Sequence, residues 1–339
     1  MSGTTTGPET LGSLSEETKI VDPNSKQAKE ISGKSPMRIA MGRLLRDKIA
    51  VICAIVAFGF ILVAVLAGVI SSIFDVSLAA NRPSENLSFT TGLPLTGPPN
   101  NAFDMAHPFG LAPSTADDNL AYFVYGCRTS LIIAGGATLV AATVGIITGL
   151  LAGFLGGTVD RVLSFIIDLF LTIPFLLAAL TLAPIISERF STDPNYFTIQ
   201  RWTLIAVLAG FGWMGVARLI RGEVLSLRER EFVQAARVLG MPTYRILIKE
   251  LLPNLAAPIV VSVSLMLPAF VAAEAGLAFL GIGVTSGASW GRTITRAVPF
   301  FDNYPLYLYQ PLIGITLLVL SLNLLGDAIR DALDPKTRR

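Results

Sequence analysis

The chain has 339 residues, of which 52% are apolar and only 15% are charged, and its formal net charge is +2. This composition is typical of a membrane protein, and so small a charge excludes the electrostatic footprint that nucleic-acid binding requires. The single histidine and the two cysteines, Cys53 and Cys127, show no metal-binding or redox spacing, so neither a multi-histidine metal site nor a disulfide is expected.

The N-terminal region leads from a polar tail into the first predicted membrane span. Residues 1–35 are rich in Ser, Thr, Gly, Glu and Lys and lack apolar periodicity, so we predict a disordered cytoplasmic tail. From Pro36 onward, methionine and leucine share one helical face among basic residues, which predicts a helix on the cytoplasmic membrane surface. The first span follows at about 49–73, so residues 36–73 form one predicted unit.

Residues 74–128 are predicted to form a long extracytoplasmic loop. Acidic side chains outnumber basic ones in this loop, whereas the stretch before the first span is basic. The positive-inside rule therefore places the N-terminus in the cytoplasm and the loop outside.

The predicted membrane core covers residues 129–326, with spans at about 129–155, 162–184, 202–217, 255–277 and 309–325. Glycine recurs at every fourth position in the first of these spans, at residues 145, 149 and 153, which favours close helix packing over a substrate role. Pro174 is expected to kink the next span. The segment before the last span is predicted to lie outside, at the outer membrane interface, where aromatic residues are favoured. Its aromatic residues are Trp290, Phe300, Phe301, Tyr304 and Tyr307.

Residues 218–254 form a polar insert, here called the coupling loop, in which basic side chains outnumber acidic ones, so it is predicted to be cytoplasmic. Its sequence predicts two short helices, the first stopped by Gly240 and the second closed by Pro253. Periodicity alone fits a plain connecting loop equally well. The apolar residues at helical spacing are Phe232, Ala235, Ala236 and Leu239 in the first helix, and Tyr244, Leu247, Ile248 and Leu251 in the second.

The spans and loops together predict an all-α, polytopic membrane protein. It has about six transmembrane helices and both termini in the cytoplasm, with residues 327–339 as a C-terminal cytoplasmic tail.

The coupling loop resembles the EAA loop of ATP-binding-cassette (ABC) importer permeases. That motif reads Glu-Ala-Ala, three residues, Gly, nine residues, Ile, one residue, Leu-Pro. The positions that match are Ala235, Ala236, Gly240, Leu252 and Pro253. Gln234 replaces the glutamate and Glu250 replaces the isoleucine, so the contacts of those two family side chains are not carried over.

Other short segments, from about residue 36 to residue 336, resemble the C-type permease of dipeptide and oligopeptide importers. They are His107-Pro108-Phe109-Gly110; Tyr125-Gly126 with Arg128 and Ser130; Phe279-Leu280-Gly281 with Gly283; Ser289-Trp290-Gly291; and Asn323-Leu324-Leu325-Gly326-Asp327 with Arg330, Asp334 and Pro335. Residues 111–119 depart from the family pattern, so no family contact is carried over there.

The resemblance implies a type I ABC importer permease that works by alternating access in the bacterial cytoplasmic (inner) membrane. Its implied partners are the lipid bilayer, a second permease of the B type, two cytoplasmic ABC ATPase subunits, an extracytoplasmic substrate-binding protein and a peptide substrate. The chain itself would be non-catalytic and free of cofactors, with ATP and Mg bound by the ATPase subunits. Consistent with this, it contains no Gly-rich phosphate-binding loop of the G-x4-G-K-[ST] type.

The resemblance also implies which residues couple the membrane helices to the ATPase. We expect residues 232–239 to seat against the chain's own helices and residues 242–251 to face the ATPase, with Ala235, Ala236 and Gly240 permitting close approach. The expected coupling residues are Gln234, Ala235, Ala236, Gly240, Thr243, Tyr244, Arg245, Leu252 and Pro253.

Two acidic residues interrupt the apolar spans and are candidates for the translocation pathway. Asp168 is expected near the cytoplasmic side and Glu274 near the outer side, too far apart to pair. Hydrogen bonding between helices, or contact with the partner permease, is the alternative for each. Glu274 is the stronger pathway candidate, because the amino terminus of a peptide would arrive from that side.

Three other functions are weighed against a peptide permease. A permease for nickel or another small solute of the same branch is the nearest, because the binding protein mainly selects the solute. A proton-coupled secondary carrier would need a buried relay, for which Asp168 and Glu274 are too few and too far apart. A membrane-bound enzyme would need a nucleophile–base pair or a metal site, and the sequence suggests neither.

Overall fold

A computed structural model describes residues 36–79, 83–95, 104–285 and 287–333. The predicted tail at 1–35 and the chain from residue 334 onward, with Asp334 and Pro335, lie outside the described residues. Within the described ranges the chain is helical, and its β-pairing is limited to the isolated bridges Leu87–Pro94 and Leu111–Asp118. Over the same ranges, five helices are long and apolar enough to cross a membrane, or six if one bent pair forms a single span.

The helices are numbered in chain order. They are α1 Pro36–Leu44, α2 Lys48–Val65, α3 Ala67–Ile73, α4 Pro83–Asn86, α5 Asn119–Leu155, α6 Gly157–Thr172, α7 Phe175–Arg189, α8 Tyr196–Gly210, α9 Trp213–Leu227, α10 Glu231–Val238, α11 Thr243–Arg245, α12 Leu252–Asn254, α13 Ala256–Leu277, α14 Trp290–Ala297 and α15 Pro305–Leu333. Two π-helical turns, Ile246–Leu251 and Ala278–Ile282, and a 3₁₀ turn, Val298–Phe300, complete the pattern.

Helix α5 is longer than the span predicted at 129–155, because it begins at Asn119. Asp118, which is fully buried, caps it: its Oδ1 accepts hydrogen bonds from the backbone N–H of Leu120 at 2.9 Å and of Ala121 at 3.0 Å. These bonds satisfy two of the N–H groups that a helix start leaves without partners. The predicted external loop of residues 74–128 therefore ends at the cap.

The glycine stripe of α5 lies against α9. A Cβ atom added to Gly145 would lie 2.7 Å from the carbonyl oxygen of Trp213, and one added to Gly149 would lie 2.6 Å from that of Ala217. At Gly153 it would lie 2.8 Å from Cβ of Val224. No side chain fits at such distances, so the structure supports the interpretation of these glycines as packing residues.

The span predicted at 162–184 is broken rather than merely kinked. Helices α6 and α7 meet at an angle of 84°. Ile173 and Pro174 between them are extended, with ψ angles of 118° and 113°. Proline lacks an N–H and disfavours helical geometry in the preceding residue, so the helical hydrogen bonding is interrupted between α6 and α7.

The spans predicted at 202–217 and 309–325 extend past both of their predicted ends. Helices α8 and α9 together run from Tyr196 to Leu227, so the first part of the coupling loop is the end of a long helix. The predicted aromatic belt is wrong for three residues, because Trp290, Tyr304 and Tyr307 are buried. The Trp290 ring lies 5.7 Å from the ring of Phe60 and 5.3 Å from that of Phe123, and its indole N–H donates to the Phe123 carbonyl.

We expect the variant Gly149→Ala to lower the free energy of unfolding by about 1–3 kcal/mol, because its new methyl group has no room against α9. Thermal unfolding in detergent would measure this. Gly135→Ala in the same helix is the matched control, since a Cβ there meets nothing within 4 Å, and it should be neutral or stabilising by up to about 1 kcal/mol. Equal unfolding temperatures for the two variants would contradict the close helix contact.

Candidate functional site

The non-membrane part of the coupling loop starts after α9 and consists of α10, α11, a π turn at Ile246–Leu251 and α12. The expectation that Pro253 closes the second helix is wrong, because α12 runs to Asn254 and α13 begins at Ala256. Pro253 sits at the start of α12, where its missing N–H costs no helical hydrogen bond. In the π turn, the N–H of Leu252 bonds to the carbonyl of Leu247, five residues back.

Gly240 ends α10, as predicted. Its φ of +73° is a conformation that favours glycine. The N–H of Met241 bonds to the Ala236 carbonyl and the N–H of Gly240 to the Arg237 carbonyl, each at 3.0 Å, which is the Schellman pattern. A Cβ at Gly240 would meet nothing within 4 Å. Backbone conformation, rather than close approach within this chain, therefore explains the glycine.

One side of the loop is anchored in the protein core at the ends of α5 and α9. The part of the loop after α9 buries Val233, Ala236, Ile246 and Leu251. They pack in one cluster with Leu255, which follows the loop, and with Leu150, Phe154, Val216, Ile220 and Val224 of α5 and α9. The guanidinium of Arg237 also lies 4.7 Å from the centre of the Phe154 ring. These contacts fix the loop to two membrane helices at once.

The other side of the loop is an exposed apolar surface, here called the outer apolar surface. Its most exposed members are Val238 at 87% and Leu239 at 83%, followed by Tyr244 at 61%, Ile248 at 60% and Phe232 at 37%. The expected division, with residues 232–239 inward and 242–251 outward, is therefore wrong. Each segment has one buried and one exposed face.

The apolar face predicted for the first helix was also wrong in register. Of its four members only Ala236 is buried, and it pairs with Val233 rather than with Phe232, Ala235 or Leu239. Val233 and Ala236 are themselves three residues apart, so this alternative face was visible in the sequence. Among the other expected coupling residues, Leu252 is half-buried, and those that are exposed are Gln234, Thr243, Tyr244, Arg245 and Pro253. Glu250, which departs from the family motif, is half-buried.

Ion pairs join α6 to α9 beside the loop. Arg221 forms a two-pronged pair with Asp160, with Nε–Oδ1 at 2.5 Å and Nη2–Oδ2 at 2.9 Å. Arg218 Nη2 donates to Asp168 Oδ1 at 2.6 Å, so hydrogen bonding between helices, one of the alternatives for Asp168, is present. No sequence pattern had indicated Arg218 and Arg221 as the partners of these acids.

Glu274 is placed very differently from Asp168. It is fully buried in α13, and neither carboxylate oxygen has a hydrogen-bond partner of good geometry among the described residues. The hydroxyls of Ser130, in α5, and of Ser289, the cap of α14, lie close to its carboxyl group. The structure therefore does not bring the two candidate pathway acids together, and only Asp168 is exposed.

The chain is similar to a known protein family and to several characterised permeases. Residues 145–339 match the family described as "Binding-protein-dependent transport system inner membrane component". The chain is 36% identical to the dipeptide transport system permease protein DppC of Bacillus subtilis, over 63% of this chain and 64% of that relative, just under two thirds of its length.

Two other relatives align over nearly their whole length. The oligopeptide transport system permease protein OppC of Bacillus subtilis is 32% identical over 93% of this chain and 95% of its own. The DppC protein of Alkalihalophilus pseudofirmus is 32% identical over 94% of this chain and 96% of its own. The inward-facing MetNI methionine ABC transporter aligns with a TM-score of 0.48 at 20% identity, over 63% of this chain and 96% of that one. By its family match and these relatives, the chain belongs to the inner-membrane components of binding-protein-dependent transport systems.

Proposed function

We propose that this chain is the C-type permease subunit of an ATP-driven importer of dipeptides or oligopeptides in a bacterial inner membrane. The observation that carries the proposal is the near full-length similarity to permeases named for those substrates. The proposed complex contains a second, B-type permease, two cytoplasmic ATPase subunits and an extracytoplasmic binding protein. ATP and Mg are bound by the ATPase subunits, so this chain supplies half of the pathway and no catalysis.

The outer apolar surface is the proposed docking site for the ATPase. Leu239 and Val238 are almost fully exposed, although removing such side chains from water is favourable. They project from a loop that a Schellman turn and a buried anchor hold in a fixed shape. A rigid element with one anchored and one apolar face suits an interface whose contacts differ between two states.

The anchor determines which helices would move with the loop. Val233 and Ile246 pack with Phe154 of α5 and Ile220 of α9. The glycine stripe joins α5 to α9, and the Asp160–Arg221 pair joins α6 to α9. We therefore propose that ATPase closure displaces α5, α6 and α9 as one block, which opens or closes the pathway.

The proposed topology has the coupling loop and both termini in the cytoplasm. The segment before Asp118 and the segment between α13 and α15 then lie outside, where the binding protein would dock. Residues 1–35 and 327–339 are proposed cytoplasmic tails that flank the permease.

Reconstitution of the whole complex in proteoliposomes tests the proposal. Peptide-loaded binding protein should stimulate ATP hydrolysis and peptide uptake, and nickel and other small solutes serve as competing substrates. If only nickel stimulates ATP hydrolysis, the chain is a nickel permease of the same family branch rather than a peptide permease. Uptake driven by a proton gradient without ATP would overturn the proposal.

We expect Leu239→Asp to reduce uptake and stimulated ATP hydrolysis at least tenfold, since it places a charge in the proposed apolar interface. Because Leu239 is 83% exposed, thermal stability and membrane insertion should be unchanged. Leu239→Met keeps the apolar surface and is the matched control. Wild-type uptake by the aspartate variant would rule out this docking surface.

We expect the Gly240→Val permease to insert into the membrane normally, whereas the complex that contains it hydrolyses ATP with little peptide uptake. A β-branched residue at φ +73° costs about 1–2 kcal/mol, so the turn between α10 and α11 should shift. The number of peptides taken up per ATP measures coupling. Gly240→Asn tolerates this φ and should retain coupling. Gly222→Val, in open space on α9, is the control for bulk; normal coupling in Gly240→Val would refute the role of the turn.

A further inference from the structure

A small cavity of about 230 Å³ lies between the end of α13 and helix α14, on the proposed outer side. Its walls are small or apolar residues of the segment that follows α13, together with Arg292 and Arg296 of α14. Thr285 and Thr295, which also line it, are exposed, so the cavity is accessible. The cavity does not belong to the coupling loop and contains neither candidate pathway acid.

The charges around this cavity do not balance. Arg296 Nη1 pairs with Asp117 Oδ2 at 3.1 Å, and Thr115 donates to the same oxygen. Arg292 instead donates to the backbone carbonyl of Gly287 at 2.8 Å, and no carboxylate of the described residues forms an ion pair with it. Two guanidinium groups thus share one carboxylate, which leaves an excess positive charge.

The two arginines also repel one another. They are four residues apart on one short helix, which brings like charges to the same face. Burial, and after it the charge of Arg296, lowers the pKa of Arg292 below its usual value. A bound anion would offset both effects, because an opposite charge stabilises a half-buried cation.

The donors are held in place before any ligand arrives. The bond to Gly287 fixes one nitrogen of Arg292 and leaves the rest of its planar fork of donors for a ligand. The opposite wall is fixed by Gln200, whose Oε1 accepts from the backbone N–H of Thr285 at 2.9 Å. The Thr295 hydroxyl already donates to backbone carbonyls. The arginines are therefore the groups that offer donors to a ligand.

We propose that this cavity binds the C-terminal carboxylate of the transported peptide, with Arg292 as the principal contact and Arg296, held by Asp117, as the second. The two arginines and Asp117 leave one excess positive charge, which the single negative charge of a carboxylate would neutralise. The volume is below the usual range for a whole drug-sized ligand, so only one end of a peptide enters. This inference rests on the proposed function.

The test compares uptake of a free-acid dipeptide with uptake of the same dipeptide carrying a C-terminal amide. The assembled wild-type complex, Arg292→Gln and Arg189→Gln are used with the same binding protein, so its own preference cancels between variants. Arg189, at the exposed end of α7, is the control for loss of one exposed positive charge away from the cavity. We expect Arg292→Gln to raise the KM for the free acid about tenfold relative to that for the amide, and Arg189→Gln to leave the ratio unchanged.

Other outcomes separate the alternatives. Equal losses for acid and amide in Arg292→Gln would overturn the proposal, since a purely structural tie to Gly287 or weaker docking of the binding protein affects both substrates alike. If the wild-type complex takes up no peptide, the proposed function itself fails. If the complex takes up peptide but Arg292→Gln leaves the ratio of the two KM values unchanged, only the proposed carboxylate site is refuted and the proposed function stands.

A binding measurement covers the case in which the amide is not taken up. Equilibrium dialysis of labelled free-acid dipeptide is carried out on the permease–ATPase complex without binding protein and without nucleotide. Wild-type binding should weaken about tenfold in Arg292→Gln and less in Arg292→Lys, which keeps the charge. Failure of the wild type to bind at about 10 mM, or equal binding by Arg292→Gln, would overturn the proposal.

Discussion

The contact between α5 and α9 sets the position of the elements that surround it. Lipid tails are as apolar as leucine, so helices in a membrane gain little from hiding apolar side chains and rely on close packing instead. Gly145, Gly149 and Gly153 allow that packing by bringing the α9 backbone to where their side chains would be. The coupling loop packs on both helices, so its position depends on their separation.

Basic residues near the C-terminal end of α9, whose charge is the basis of the proposed topology, also form contacts between helices. Arg221 and Arg218 bind acids of α6, and Arg228 donates to the Gly153 carbonyl at 3.1 Å. That carbonyl belongs to the last glycine of the stripe, where no side chain covers the backbone. These contacts tie α5, α6 and α9 together at one end of the bundle.

Features set by local physics were predictable from the sequence. The spacing of the α5 glycines and the stop at Gly240 follow from the absence of a side chain, and a bend at Pro174 follows from the missing N–H, although its full 84° angle was not predicted. Features set by the surroundings were not. An amphipathic helix as short as α10 offers two plausible apolar faces, and the core cluster at the ends of α5 and α9 selects Val233 and Ala236. Likewise, Asp118 lies in a run of polar residues, and its cap on α5 depends on the fold of the loop before it.

The length of α5 has a consequence for how the two ends of the permease communicate. Its 37 residues form one uninterrupted helix about 55 Å long, longer than the roughly 30 Å hydrocarbon layer. Tyr122 near its first turn lies beside Arg296, and Phe154 at its last turn lies beneath Arg237. A hydrogen-bonded helix resists stretching, so a shift along its axis at one end also moves the other end. One continuous helix thus joins the contact with Arg296 to the contact with Arg237, without a chain of separate side chains between them.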